Sequence, residues 1–282
     1  MTLSELQSVF VTKLKRLYTK EEAERLFFIG LEDILNIGVH QFRIVHQKNV
    51  QVEDENKMID FLTGLKQGTP YQHLIGNVTF AGLDLKVGPQ ALIPRPETEE
   101  LAYLIKEENI AAEGLRLIDI GTGTGCLALA CAGFLKNSEV HGFDVSDEAL
   151  QLAHENSKRN KLDVGFTKGS ILIEEEWPDG KWDLIVSNPP YIGEREEEGM
   201  NSTVKDFEPS LALFAPDDDI LIFYRKILEF ADKNLKKGGK LYLEINQQLG
   251  EQTKELYSRA GYEAQLLKDM SGNDRFVVAT KK

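Results

Sequence analysis

Cysteine is nearly missing: the 282 residues contain two, Cys126 and Cys131. Five positions apart in an apparent helix, they exclude a disulfide framework and match no metal-ligand spacing. Buried small side chains in a reducing cytoplasm are the expectation. Long apolar runs are also lacking, and none approaches the roughly 18 residues that span a bilayer. The opening Met1-Thr2-Leu3-Ser4-Glu5 has neither a basic nor an apolar segment, so no secretory signal is read. Basic stripes are absent as well. Lysine and arginine total 33 against 46 acidic residues, a net charge of −13, and the basic ones are scattered. Phosphate neutralisation supplies most of the affinity for bare nucleic acid, so no stable direct binding to it is expected. The acidic runs Glu174-Glu175-Glu176 and Glu194 to Glu198 read first as solvated faces, while long-range attraction to a basic protein stays open. His40, His46, His73, His141 and His154 form no ligand cluster, and no metal site is expected.

The chain divides by pattern into three parts. Residues 1–70 are helical in character. Leu3, Leu6, Phe10, Leu14 and Leu17 share one stripe. Thr19 with Glu22 forms a capping box for a second helix carrying Ala23, Leu26, Phe27, Leu31, Ile34 and Leu35, with Gly38 just past its end. Met58, Ile59, Phe61, Leu62 and Leu65 mark a further helix near 54–66, which Gly68-Thr69-Pro70 ends. Residues 71–96 form a linker. Asn77–Phe80 and Leu83–Val87 read as a hairpin through Ala81-Gly82, followed by an extended stretch in which Pro94 and Pro96 delay the next helix to about Glu97.

From 97 to 282 strands and helices alternate. Strands are predicted at Leu115–Ile120, Val140–Val145, Val164–Lys168, Trp182–Ser187, Lys240–Ile245, Glu263–Lys268 and Arg275–Thr280, with helices near 126–136, 147–160, 217–236 and 248–260. Such alternation implies an α/β fold with a mostly parallel, doubly wound Rossmann-like sheet. The link from Asp269 to Asp274 is too short for a crossover, so the last strand is expected antiparallel. Seven strands with that ending fit a methyltransferase sheet better than a dehydrogenase.

Three motifs carry chemistry. The first predicted strand runs into Gly121-Thr122-Gly123-Thr124-Gly125, whose glycines permit a tight turn and close approach of backbone to a ligand. Asp144, 23 residues after Gly121, stands where a carboxylate accepts hydrogen bonds from ribose hydroxyls. Ribose belongs to both NAD and S-adenosylmethionine, so this residue does not choose between them. The fourth strand decides. Its end, Asn188-Pro189-Pro190-Tyr191, belongs on the ligand side of an open α/β sheet. Carbonyl acceptors on Asn188 and Pro189 can take both N–H bonds of a planar amide or amine and aim its nitrogen at a methyl group. Pro190 restricts the turn, and the ring of Tyr191 can cover the planar group. Catalysis of that kind is mainly positioning. Phe207-Glu208-Pro209 is expected to form a wall of the site.

The chain resembles the peptide chain release factor N5-glutamine methyltransferases. The resemblance rests on Pro70-Tyr-Gln-His-Leu-Ile-Gly76, Leu92-Ile-Pro-Arg-Pro-Glu-Thr-Glu99, Gly121–Gly125, Asn188–Tyr191, Asp206-Phe-Glu-Pro-Ser-Leu-Ala-Leu213 and Glu244-Ile-Asn-Gln247, and covers nearly the whole chain. It implies S-adenosylmethionine as methyl donor, leaving as S-adenosylhomocysteine, held by Gly121 to Gly125, Asp144 and Asn188. It implies that Asn188, Pro189, Pro190 and Tyr191 grip the glutamine of the Gly-Gly-Gln tripeptide in bacterial class I release factors, recognised partly by the helical N-terminal domain. Where the family often has an acid and a large aromatic near the adenine, this chain has Ser170-Ile171, so Ile171 is the residue expected to pack on the ring. Three other readings compete. They are methylation of a nucleobase amine, against which the acidic charge argues, a non-catalytic binding module, and a dehydrogenase.

Overall fold

The computed structural model describes residues 1–193, 207–216 and 218–282. The run Glu194 to Glu198 and Asp206 lie outside the described residues. The described residues form two compact units, one of Met1–Gly76 with Phe207 and a larger one of Asn77–Gly193 with the residues from Glu208 onward.

The first unit contains α1 (Leu3–Leu14), α2 (Lys20–Leu35), α3 (Val39–Val45), α4 (Val52–Lys66) and a short α5 (Tyr71–Ile75). The Thr19–Glu22 capping box is present, and a second, Thr2–Glu5, starts α1. Each satisfies two amide groups that the first helical turn leaves bare. The predicted stripe holds for Leu3, Leu6, Phe10 and Leu14, which are buried against Phe27, Leu31, Phe61 and Leu62. Leu17 departs from it: α1 stops at Leu14, and Leu17 is 58% exposed. Asn36, not Gly38, closes α2. It adopts φ +54°, a left-handed conformation that asparagine tolerates, and Gly38 then starts α3.

In the larger unit, β1 (Asn77–Phe80) and β2 (Leu83–Lys86) make the predicted hairpin. After it come α6 (Pro96–Glu108), β3 (Arg116–Ile120), α7 (Cys126–Phe134), β4 (Glu139–Asp144), α8 (Asp147–Asn160), β5 (Gly165–Lys168) and β6 (Trp182–Ser187). Then follow β7 (Ile192–Gly193), α9 (Ser210–Leu213), β8 (Phe214–Ala215), α10 (Ile222–Asn234), β9 (Leu235–Glu244), α11 (Gly250–Arg259), β10 (Glu263–Lys268) and β11 (Asp274–Thr280). The seven-stranded sheet has the order β10-β11-β9-β6-β3-β4-β5. β9, β6, β3, β4 and β5 pair in parallel, while β11 inserts antiparallel between β9 and β10. The chain therefore has the α/β methyltransferase fold read from its sequence.

Alternation along the central strands buries both faces. Leu117, Leu184, Val186 and Tyr242 pack with α6 and α7 on one side. Ile118, Ile185, Leu241 and Leu243 pack with Tyr224, Ile227 and Phe230 of α10 and Tyr257 of α11 on the other. A one-residue slip would exchange the two sets, so the pattern fixes the register. Each such side chain contributes about 1.5–3 kcal/mol on burial. β9 begins five residues earlier than its alternation predicts, because Leu235 pairs with Trp182 across a bulge. α10 begins at Ile222, not near 217, after a turn in which the amide of Ile222 donates to the carbonyl of Asp219.

The hairpin is anchored inside the larger unit. Fully buried Asn156 of α8 accepts from the amide of Lys86 (2.7 Å) and donates to the carbonyls of Lys86 and Thr124 (both 3.0 Å). One side chain thus joins the hairpin to the glycine turn.

Candidate active site

At the carboxyl ends of β3, β4 and β6 lies a cavity of about 220 Å³. Its walls include the glycine turn 121–124, Asp144, Ile171, Asn188, Pro189 and Pro190, with Leu92–Arg95 and Pro209 also facing it. Strand ends converge here because parallel strands all point the same way.

The glycine turn is built by backbone conformation and two carboxylates. Gly121, Gly123 and Gly125 have φ +76°, +53° and +79°, values that cost a residue with a Cβ. Among the described residues, a Cβ at Gly121 would meet no atom within 4 Å, so that stretch of backbone leaves room for an approaching ligand. The amides of Gly121 and Thr122 donate to the carbonyl of Phe143 (2.8 and 3.2 Å), which ties the turn to β4. Asp144 accepts from the amide of Gly123 (2.8 Å) and from that of Ser146 (3.0 Å). Burial raises its carboxyl above the ordinary range, and those amide bonds oppose the rise. Beneath the turn Asp119, 2% exposed, accepts from the Thr122 hydroxyl (2.7 Å) and the Ala128 amide (3.2 Å). Its burial pushes the carboxyl up to about 7.

On the opposite wall the Asn188 loop is held by side chains from distant elements. The Asn188 Nδ2 donates to Thr98 Oγ1 (3.1 Å), and the Thr98 hydroxyl donates to Glu244 Oε2 (2.6 Å). Tyr191 donates through its hydroxyl to Glu244 Oε1 (3.4 Å), and its carbonyl accepts from Asn246 Nδ2 (3.3 Å). Thr98 and Glu244 are 4% and 1% exposed. Burial lifts the Glu244 carboxyl to about 7, against the pull of the Thr98 bond and of Arg275. The extended stretch before α6 has its own clamp. Glu208, buried, accepts from Arg95 Nη2 (2.6 Å) and from the amide of Ile93 (3.3 Å).

The family model described as "Methyltransferase small domain" matches residues 100–207. A release factor glutamine methyltransferase of Flavobacterium psychrophilum is 39% identical over 98% of both chains. One of Streptococcus pneumoniae is 41% identical over 99% of this chain and 98% of its own. The chain belongs to the release factor glutamine methyltransferase family. The fold agrees: a solved methyltransferase from Pyrococcus furiosus, 26% identical, superposes with a TM-score of 0.51 over 71% of this chain and 89% of that one.

In this methyltransferase most of the residues singled out from sequence come together. Gly121, Thr122, Gly123, Thr124, Asp144, Ile171, Asn188, Pro189 and Pro190 line one cavity, and Gly125 caps the helix at its edge. Tyr191 is not among the lining residues; its ring packs toward the α10 side of the sheet, and its hydroxyl is tethered to Glu244. Of Phe207-Glu208-Pro209, Pro209 faces the cavity and Glu208 braces it from behind. Sequence reasoning assigned no role to Asp119, Thr98 or Glu244. A signal for Asp119 existed, since a carboxylate two residues before a glycine turn can brace it. None marked Thr98 and Glu244 as partners, 146 positions apart.

Proposed function

We propose that the chain transfers a methyl group from S-adenosylmethionine to the side-chain amide nitrogen of the glutamine in the Gly-Gly-Gln tripeptide of bacterial class I release factors, in the cytoplasm. One observation carries the reading: a single cavity is lined by the glycine turn with Asp144 and by Asn188-Pro189-Pro190. A donor site and an amide-gripping loop therefore open into the same space. The residues present suit the donor. Bare backbone at Gly121 admits close approach, the Asp144 carboxylate can accept from ribose hydroxyls, and Ile171 offers an apolar surface for the adenine.

When bound, the donor supplies an electrophilic methyl on a sulfonium. The protein's own contribution is geometric. A carboxamide nitrogen is a weak nucleophile, because its lone pair is delocalised into the carbonyl. Acceptors on Asn188 and Pro189 hold both of its N–H bonds, keep the group from rotating and present the nitrogen in line. As the nitrogen gains the methyl it gives up one of these two protons to solvent, and the other stays on the N-methyl amide. Such positioning replaces an encounter in solution by a near-attack arrangement. The helical unit 1–70 serves recognition of the release factor, which the net charge of −13 leaves free of competing nucleic acid.

The deciding test is mass spectrometry of a release factor and of its Gly-Gly-Gln peptide after incubation with enzyme and donor. One added methyl, localised to the glutamine side chain, is expected. Transfer of labelled methyl into DNA or ribosomal RNA, with none into release factor, would overturn the reading.

A further inference from the structure

We propose that Thr98 and Glu244 are positioning residues for methyl transfer: through Thr98, the Glu244 carboxylate fixes which end of the Asn188 carboxamide faces the cavity. The inference rests on the amide-gripping role assigned to Asn188 above and adds the device that makes the role possible.

A carboxamide is nearly symmetrical in shape but opposite in polarity at its two ends. If Asn188 turned over, its NH2 would face the NH2 of an incoming amide, donor against donor. Something must choose between these orientations. Proline follows at 189, so the loop backbone offers no amide there to make the choice.

The sheet brings the selector to the spot. Parallel pairing sets Ser187 of β6 opposite Leu243 of β9, so Asn188 and Glu244 leave their strands side by side. The first turn of α6 places Thr98 against both. Polarity then follows by elimination. An ionised carboxylate only accepts hydrogen bonds, and a threonine hydroxyl has one proton to give. At 2.6 Å that proton goes to Glu244 Oε2. Thr98 Oγ1 is left able only to accept, so it takes the Asn188 NH2, as the 3.1 Å contact records. Asn188 Oδ1 is thereby turned away from Thr98, free to accept an N–H in the cavity. The second carboxylate oxygen takes the Tyr191 hydroxyl, so both ends of the tetrapeptide answer to one buried charge.

A packing role does not account for this arrangement. A carboxyl 1% exposed carries a desolvation penalty that an apolar side chain of equal size would avoid. Arg275 of β11 and Glu97 of α6 act on it with opposite sign, and Tyr191 and Tyr224 of α10 face it as well. Glu244 is the acid in this set that burial lifts to about 7.

The test uses the full chain, the Gly-Gly-Gln peptide with mass-spectrometric readout, and calorimetry with S-adenosylhomocysteine. Thr98→Val keeps the shape and removes the hydroxyl. Its kcat should fall by about 10–100-fold, the loss expected when a positioned polar group is left without its partner. Affinity for S-adenosylhomocysteine should stay within about threefold, and Thr98→Ser should recover most of the rate. Should Thr98→Val fold poorly, Glu244→Gln supplies the second arm. A glutamine can either donate to or accept from Thr98, so the bias is lost. Its kcat should drop, and the rise of wild-type kcat through about pH 7 should flatten. Wild-type kcat in Thr98→Val, equal losses in its Ser and Val variants, or identical pH profiles for wild type and Glu244→Gln would overturn the relay. An inactive wild type would instead overturn the glutamine reading, and the relay with it.

Discussion

The two walls of the cavity are held in different ways. The wall proposed to hold the donor, called the donor wall, is a local construction, and the wall of Asn188 is the proposed acceptor wall. Asp119 braces Thr122 three positions away and Ala128 nine away, and Asp144 accepts from Gly123 at a separation of 21. The donor wall's acceptors take the amides of Gly123, Ser146 and Ala128 and one neighbouring hydroxyl, that of Thr122, so its shape is set mainly by chain conformation. The acceptor wall is assembled across the fold. Asn188 reaches Thr98 at a separation of 90, and Thr98 reaches Glu244 at 146. Backbone geometry can present a ribose or amino-acid ligand, whereas discrimination of one end of an amide needs side-chain polarity. The donor wall should therefore keep its shape when a side chain is exchanged at unchanged φ angles, losing only the bonds that side chain makes to the ligand, whereas the acceptor wall should lose its arrangement.

The largest test of that contrast is Asn188→Ala. On the proposed mechanism it removes the acceptor that aims the nitrogen, and kcat for the Gly-Gly-Gln peptide should fall by about 10²–10³-fold, the scale for deleting one preorganised hydrogen-bonding group. Affinity for S-adenosylhomocysteine, measured by calorimetry, should change by no more than about threefold. Retained turnover on purified release factor would remove the acceptor wall from the mechanism.

Asp144→Ala attacks the other wall and should split the parameters the other way. A carboxylate bonded to ligand hydroxyls contributes about 1.5–3 kcal/mol, so donor affinity should weaken by about 10–100-fold. At saturating donor, kcat should stay near that of wild type. Equal loss of kcat and affinity would show that the walls are not separable.

This division also explains how far the sequence could be read. Three glycines in five residues and an acid at the end of the next strand are close enough in the chain to form a pattern. So is the alternation of β3, β4, β6 and β11, whose faces are buried on both sides. Asn188–Tyr191 was visible as a tetrapeptide at a strand end, because both prolines and their place after β6 are local facts. Thr98 was visible too, inside an unusual proline-rich stretch, yet nothing along the chain connects it with Glu244. That link exists only after β9 pairs with β6 and α6 crosses above them. Tyr191 shows the same limit, since nothing along the chain connects its hydroxyl with Glu244, 53 positions away. Helix ends depended on equally small matters, such as Asn36 accepting φ +54° before Gly38 was needed.

Each wall conceals a carboxyl that burial lifts to about 7, and pH should reveal both. Asp119 is pushed up to about 7 from an ordinary 3.8, and Glu244 to about 7 from 4.5. For an acid whose folded value is raised, the folded chain keeps a proton that the unfolded chain releases. Stability is then highest below about 4, declines between about 4 and 7, and is flat above. The slope per group is at most about 1.4 kcal/mol per pH unit. Denaturant titrations from pH 5 to 8 should show the decline, and Asp119→Asn and Glu244→Gln should each flatten part of it. Activity should move in the opposite sense, because in the proposed relay it is the ionised Glu244 that orients Asn188. A rise in stability across this window would show that neither carboxyl is protonated in the folded protein.

The smallest effect separates backbone from side chain within the donor wall itself. Gly125 sits at φ +79° where the turn enters α7, and a Cβ there would come within 3.1 Å of the Ala153 Cβ. A left-handed alanine costs about 1 kcal/mol before that contact is relieved. Gly125→Ala should therefore lower the thermal midpoint by a few degrees. If the wall is a matter of φ angles, α8 carrying Ala153 yields slightly, the turn keeps its shape, and donor affinity changes less than in Asp144→Ala. If instead Gly125→Ala weakens the donor as much as loss of Asp144 does, the third glycine takes part in the site directly. The boundary of the donor wall would then extend into the first turn of α7.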